Sequence, residues 1–236
     1  MTTPLHGLFG GRLPRLAMFD LDGTLVDSVP DLAAAVDRML VQLGRAPAGI
    51  ERVRLWIGNG APVLVRRALA GDLRHDGVDA AEAETALALF MQAYADSHGL
   101  TRIYPGVVET LDWLRERDVQ LALITNKPAR FLPELLAEKG LDGYFRWVVG
   151  GDTLPQQKPD PAALLWVMEQ AGVMAEEALF VGDSRNDVLA ARAAGVACVA
   201  LSYGYNHGRP IAEEGPALVL DVLSGLVDSA PAAALM

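Results

Sequence analysis

The chain of 236 residues carries one cysteine, Cys198, which excludes an intramolecular disulfide and suits a reducing cytoplasmic setting. Its position inside the apolar run 196–201 marks it as a buried strand residue. No apolar run approaches the length needed to span a bilayer, so no membrane partner is expected. Positive charge is scarce: 20 Lys and Arg stand against 30 Asp and Glu, a net charge of −10. Nucleic acid, which requires basic patches, is therefore not an expected partner, and an anionic substrate would need cations gathered locally. Residues 1–14 lack a basic start followed by a continuous apolar segment, and read as an irregular arm rather than a secretory signal. Internal repeats are absent. Apolar residues make up 51% of the chain, enough for one good core and a smaller second one.

What is present centres on Phe19-Asp20-Leu21-Asp22-Gly23-Thr24-Leu25, directly behind the apolar run Leu16-Ala17-Met18-Phe19. An apolar run ending in an acidic, Gly-containing turn reads as a buried strand stopping at its carboxyl edge, where open α/β sheets bind ligands. Strand alternation places Asp20 and Asp22 on one side with Leu21 turned away. Two carboxylates that close need a cation or a shared proton. Gly23 lets the chain turn and Thr24 can hydrogen-bond that turn. Taken alone, the stretch fits a solvated acidic turn as well as a reactive pair.

Along the chain, the break at 27–31 opens a helix whose apolar positions Leu32, Val36, Met39, Leu40 and Leu43 end at Gly44. Further helices are expected over 50–56, from about Pro62 to Gly71, and over 79–98, with no strand before about residue 100. From Pro105 the pattern becomes alternating: helix 106–117, strand 119–124, helix 128–139, strand 147–149, helix 161–171, strand 178–181, helix 186–194 and strand 196–201. A last short strand is expected at 218–220, and the tail 229–236 carries little information. Strands separated by helices of this length indicate right-handed βαβ units and a parallel sheet.

Three later stretches repeat the form of an apolar strand ending in polar residues. They are Thr125-Asn126 after 121–124, Lys158 in Gln157-Lys158-Pro159-Asp160-Pro161, and Gly182-Asp183-Ser184-Arg185-Asn186-Asp187 after 179–181. A carboxylate pair, a Thr/Asn pair, a lysine and a second carboxylate pair in this order resemble the haloacid dehalogenase-like phosphohydrolases. The details Trp56-Ile57-Gly58-Asn59-Gly60 and Ser202-Tyr203-Gly204-Tyr205-Asn206 resemble the bacterial phosphoglycolate phosphatase family.

The resemblance implies an α/β fold with a Rossmann-like parallel sheet (1–27 and 103–236) and an inserted all-helical cap domain (28–102), joined by crossing linkers at 28–31 and 99–104. It implies a phosphomonoester hydrolase in which Asp20 is the nucleophile and forms an aspartyl-phosphate, and Asp22 serves as proton donor and then acceptor. Thr125 and Asn126 are implied as phosphoryl-oxygen donors, and Lys158 as a fixed positive charge. Four acids around one lysine call for a hard cation, and oxygen-only ligands point to Mg²⁺. By resemblance its ligands are the Asp20 side chain, the Asp22 backbone carbonyl and Asp183, with Asp187 behind them. Other readings remain: Lys158 as a surface residue in a proline-rich turn, and Asp183 as the cap of the following helix.

Relatives that cleave halides or phosphonates lack an acid where this chain has Asp22, and phosphonate cleavage uses a cap lysine, whereas no lysine occurs between Ser28 and Arg102. A phospho-receiver domain carries its phosphorylated Asp on a later strand and has no long helical insert. A catalytically silent relative would have lost a reactive residue. Among phosphoester chemistries, 2-phosphoglycolate is the expected substrate, with an N-acetylmuramate 6-phosphate or other sugar-phosphate phosphatase and a phosphosugar mutase as alternatives. The loop Gly58-Asn59-Gly60, opening the helix that carries Arg66 and Arg67, is expected to meet the substrate carboxylate. That loop could equally only turn the chain, and the arginines could be solvated. The expected partner is a small phosphate monoester, and the expected state a monomer or small homo-oligomer.

Overall fold

The computed structural model describes residues 3–95 and 99–227. In chain order the elements are α1 (Pro4–Leu8), β1 (Leu16–Phe19), β2 (Val26–Asp27), α2 (Val29–Gln42), α3 (Ile50–Trp56), α4 (Ala61–Ala70), α5 (Ala80–Ala95), β3 (Arg102–Ile103), α6 (Val107–Arg115), β4 (Gln120–Ile124), α7 (Leu132–Glu138), β5 (Trp147–Val149), α8 (Ala162–Ala171), β6 (Ala178–Gly182), α9 (Arg185–Ala194), β7 (Ala197–Leu201) and β8 (Leu218–Leu220). Six of the strands form one parallel sheet in the order β5-β4-β1-β6-β7-β8. The reversal of strand order around β1 puts the end of that strand at the crevice of a Rossmann-like α/β fold.

Period-two alternation decides how the two faces fill. Ala17 and Phe19 join Leu121, Leu123, Leu179 and Val181 under α6 and α7. Leu16 and Met18 join Ala122, Ile124, Ala178 and Phe180 under α8 and α9. Cys198 lies in this second layer, and burial pushes its thiol pKa up, so it acts as a small apolar side chain. Between β2 and β3, helices α2–α5 form a cluster of their own around Val36, Met39, Val65, Phe90 and Tyr94. Phe131 and Tyr205 reach into that cluster from outside the helical block. No helix among the described residues is long and apolar enough to cross a membrane.

Three expectations need correction. The opening arm is not wholly irregular: Thr3 caps α1 through a reciprocal pair of bonds with His6, and Leu5 is buried in the core. The crossing into the helical block comes earlier than residues 28–31, because β2 pairs antiparallel with β3 and α2 has already begun at Val29. The helix expected over 128–139 starts as a 3₁₀ turn at Ala129–Phe131 and becomes α-helical at Leu132, with Pro133 in its first turn. Residues 96–98, expected to end the helix now seen as α5, and the tail 229–236 lie outside the described residues.

The two crossings are pinned by Asp31, which is buried in the first turn of α2. Its carboxylate accepts the backbone N–H of Leu100 and of Thr101 and the Thr101 hydroxyl, at 2.6–3.2 Å. Replacing Asp31 by Ala strands these donors in a dry site. Asp31→Ala should lower stability by about 3 kcal/mol in urea melts, well beyond the effect of an exposed Asp→Ala change.

Candidate active site

The carboxyl ends of β1, β4 and β6, with the segment before α8, deliver one functional stretch each. Asp20 continues the β1–β6 ladder through its N–H to the Val181 carbonyl, which fixes the direction of its side chain. The chain then folds back through three amides bonded to the Leu21 carbonyl, and Leu21 drops into the core with Ala17 and Phe19. Asp20 and Asp22 consequently face the same pocket. The pocket, of about 50 Å³, lies between the sheet edge and the helical block. Thr125, Asn126, Lys127, Lys158 and Asp187 line it from the sheet side, and Leu32, Ile57, Leu64, Phe90 and Tyr94 from the block.

Lys158 is the electrostatic centre. Its ammonium lies 2.8 Å from Asp20 Oδ1 and 2.6 Å from Asp187 Oδ1, and its side chain is 3% exposed. Burial alone would strip its proton, but the carboxylates of Asp187 and Asp20 outweigh that and hold its pKa above the ordinary lysine value. Asp187 is engaged through both oxygens. Its second oxygen accepts the Asp183 N–H, the Ser184 N–H and the Ser184 hydroxyl, so the pair forms the reciprocal cap of α9.

Asp183 does not cap α9. Its oxygens accept the Thr24 hydroxyl at 2.7 Å and the Tyr205 N–H at 2.6 Å. Gly23 and Gly204 pack so closely on this carboxylate that a Cβ on either would overlap it, which is what the glycines contribute here. Each Asp183 oxygen keeps lone-pair capacity.

Carboxylate oxygens of Asp20, Asp183 and Asp187 all lie within 4.8 Å of one another. Three buried acids against one lysine leave excess negative charge. Burial accordingly raises Asp20 to about 7, against the opposing pull of Lys158, and raises Asp183 well above the usual carboxylate range with Asp187 and Asp20 adding to it. The donor set, all oxygen and over-charged, fits a hard divalent cation.

The remaining expected residues divide. Thr125 Oγ accepts the Lys127 N–H at 3.1 Å, which leaves its hydroxyl hydrogen to donate into the pocket. Asn126, expected to donate to a phosphoryl group, directs its amide at the carbonyls of Gly58 (3.0 Å) and Lys158 (2.9 Å). Asn186 donates to the same Gly58 carbonyl at 3.0 Å, and Gln157 to the Asn59 carbonyl at 3.3 Å. The loop Gly58-Asn59-Gly60 is thereby fastened over the sheet edge. The arginines behind it are engaged with the block's own carbonyls, Arg66 with Val78 and Arg67 with Trp56.

Two features escaped the sequence reading. Lys127 is buried with its ammonium 2.9 and 3.2 Å from the two oxygens of Asp22 and 4.7 Å from the Tyr94 ring centre. Its position beside Thr125-Asn126 was the available signal. Tyr205 supports Asp183 with its N–H while its hydroxyl donates to Asp27 at 2.6 Å and accepts the Ser28 N–H. That gives a physical reason for the 202–206 stretch, since Asn206 also accepts the first N–H of α9.

Against known families, a model described as haloacid dehalogenase-like hydrolase matches residues 17–201. The chain belongs to this family of haloacid dehalogenase-like hydrolases. Phosphoglycolate phosphatase 1 of Pseudomonas aeruginosa is 71% identical over 226 residues, 96% of this chain and 83% of that one. Phosphoglycolate phosphatase of Pseudomonas fluorescens is 70% identical over 220 residues, 93% of this chain and 81% of that one. A crystal structure of a protein described as a predicted phosphoglycolate phosphatase from Haemophilus somnus superposes with a TM-score of 0.84 at 37% identity, covering 90% of this chain and 96% of that one. Within this hydrolase, the parallel sheet flanked by helices is as the family resemblance implies.

The raised pKa of Asp20 has a testable consequence for stability. Its folded value lies above its unfolded one, so its favourable contribution is complete below about pH 4 and is lost as pH rises through about 7. In urea melts with chelator, Asp20→Asn should therefore gain stability relative to the wild type between pH 4 and 8. A constant difference across that range would show that Asp20 is not desolvated as described.

Proposed function

We propose that this hydrolase is a Mg²⁺-dependent phosphatase that cleaves 2-phosphoglycolate to glycolate and phosphate. The reading is carried by its likeness, over nearly the whole chain, to the Pseudomonas phosphoglycolate phosphatases. The assembled pocket supports it. Asp20 attacks phosphorus with a carboxylate oxygen and forms an aspartyl-phosphate as the ester P–O bond breaks. Asp22 gives its proton to the departing glycolate oxygen, then takes one from the water that attacks the aspartyl-phosphate. Lys158 pulls Asp20 toward its ionised form against the effect of burial and offers positive charge to the phosphoryl oxygens, and Thr125 donates its hydroxyl hydrogen to one of them.

A divalent cation would be held by the Asp20 side chain, the Asp22 backbone carbonyl and Asp183, and would neutralise charge shared by the nucleophile and the phosphoryl group. Asp187, with one oxygen on Lys158 and the other taken by three donors, orients Lys158 and the start of α9 rather than joining the ligands. The apolar wall from Leu32, Ile57, Leu64 and Phe90 excludes water and leaves room for only a small leaving group.

Four outcomes check this reading. Measured by phosphate release, 2-phosphoglycolate should exceed glycerol phosphates, hexose phosphates and N-acetylmuramate 6-phosphate in kcat/KM. Activity should vanish in chelator and return with Mg²⁺. Asp20→Asn should abolish turnover. Asp22→Asn should lose more on 2-phosphoglycolate than on p-nitrophenyl phosphate, whose leaving group needs no proton. Equal losses on both substrates would remove Asp22 from the acid role. A hexose phosphate handled as well as 2-phosphoglycolate would overturn the substrate.

A further inference from the structure

Phosphoglycolate presents two anions, and the machinery above accounts for only one of them. The carboxylate sits two bonds beyond the ester oxygen, so it must come to rest just past whatever group touches that oxygen. On the proposed reading that group is Asp22. One hydrogen bond past Asp22 stands the Lys127 ammonium, buried at 3% side-chain exposure. The alternatives thin out on inspection. Lys158, the other lysine lining the pocket, is held between Asp20 and Asp187 at the phosphoryl end. Arg66 and Arg67 are turned to backbone carbonyls of the helical block. Of the block's other lining side chains, Leu32, Ile57, Ala61, Leu64 and Phe90 are apolar and Tyr94 carries no positive charge.

Resting on that substrate reading, we propose that Lys127 is the specificity residue that receives the substrate's carboxylate. In the free protein Asp22 occupies its ammonium as a stand-in carboxylate, which avoids leaving a buried cation unpaired. When substrate enters, its carboxylate replaces Asp22 on Lys127, and the Asp22 side chain, now without its cation, takes up a proton from solvent and turns to the ester oxygen. The binding event thus releases the acid only for a ligand that brings its own carboxylate. Tyr94, whose ring lies 4.7 Å from the ammonium, keeps Lys127 placed during the exchange. An uncharged leaving group of the same size must instead break the Lys127–Asp22 pair without compensation.

The test compares 2-phosphoglycolate with its neutral isostere, 2-phosphoglycolamide, as ratios of kcat/KM within each protein. The wild type should prefer the acid by about tenfold to a hundredfold, the span a buried charge-assisted bond commands. Lys127→Met should bring the ratio close to one, through a larger loss on the acid than on the amide. Lys127→Gln, which leaves a hydrogen-bonding group beside Asp22, should also compress the ratio and serves if the Met variant fails to fold. A wild-type preference that survives in the folded variants would overturn the role of Lys127 and leave the phosphoglycolate reading intact. Absence of any preference in the wild type would overturn both. Equal losses on acid and amide would make Lys127 a positioning residue for Asp22 and nothing more, and would also overturn the proposal.

Discussion

The site depends on one buried ammonium shared between two carboxylates. Lys158 touches Asp20 and Asp187 at the same time, with Asp183 close by and little water to soften the repulsion among the three acids. Such an arrangement is unfavourable unless each remaining lone pair is directed. The chain meets that demand locally. Asp187 is absorbed into the cap of α9, and Asp183 is held by a hydroxyl from the β1 turn and an amide from the stretch after β7. Asp20 pairs with Lys158 and faces the pocket without such a set of backbone and hydroxyl donors. Holding the neighbours by hydrogen bonds from their own surroundings while one carboxylate faces the ligand is what separates a reactive group from a structural acid.

The helical block meets this centre through hydrogen bonds rather than through ion pairs. Asn126 and Asn186, from the ends of β4 and the start of α9, converge on the Gly58 carbonyl. Tyr205 joins Asp183 to Asp27, at the point where the chain crosses into the block. The two amide bonds to Gly58 are neutral, contribute about 1 kcal/mol each and exchange readily with water. They position the wall of the pocket without locking it, whereas the Asp31 network inside the crossing is charged and buried, and fixes the hinge itself.

Much of this was legible in the residues. The alternation of Leu16-Ala17-Met18-Phe19, the turn chemistry after it and the later strand-then-polar stretches were sufficient for the parallel sheet and its functional edge. Local signals located most helices within a few residues, because their apolar periodicity and Gly or Pro boundaries are strong. The failures share a cause. The short helix at Pro4–Leu8 has too few residues for a periodic signal and exists because Leu5 finds a core partner. The two-residue strands β2 and β3 are defined only by each other across the length of the insert. Asn126 was expected as a phosphoryl-oxygen donor, and the carbonyls that its amide meets lay beyond the reach of residue type. Its actual partners, the carbonyls of Gly58 and Lys158, are fixed by tertiary approach. Arg66 and Arg67 were similarly unreadable, since a guanidinium beside a Gly-rich turn bonds whichever carbonyl the fold brings near.

The chain's usage of basic residues carries the last step. Lysine occurs at only three positions, 127, 139 and 158, and the remaining basic residues are arginines. Two of those three lysines are buried in one pocket of about 50 Å³, and each is paired with one of the two acids that follow β1. An arginine there would need room for a planar fork and would bind a carboxylate bidentately, holding it too firmly to be exchanged. A lysine is a compact point charge that can pass from one oxygen to another along a flexible stem. In a protein that elsewhere favours arginine, lysine at these two places matches a site whose carboxylate and phosphoryl partners must change during each turnover.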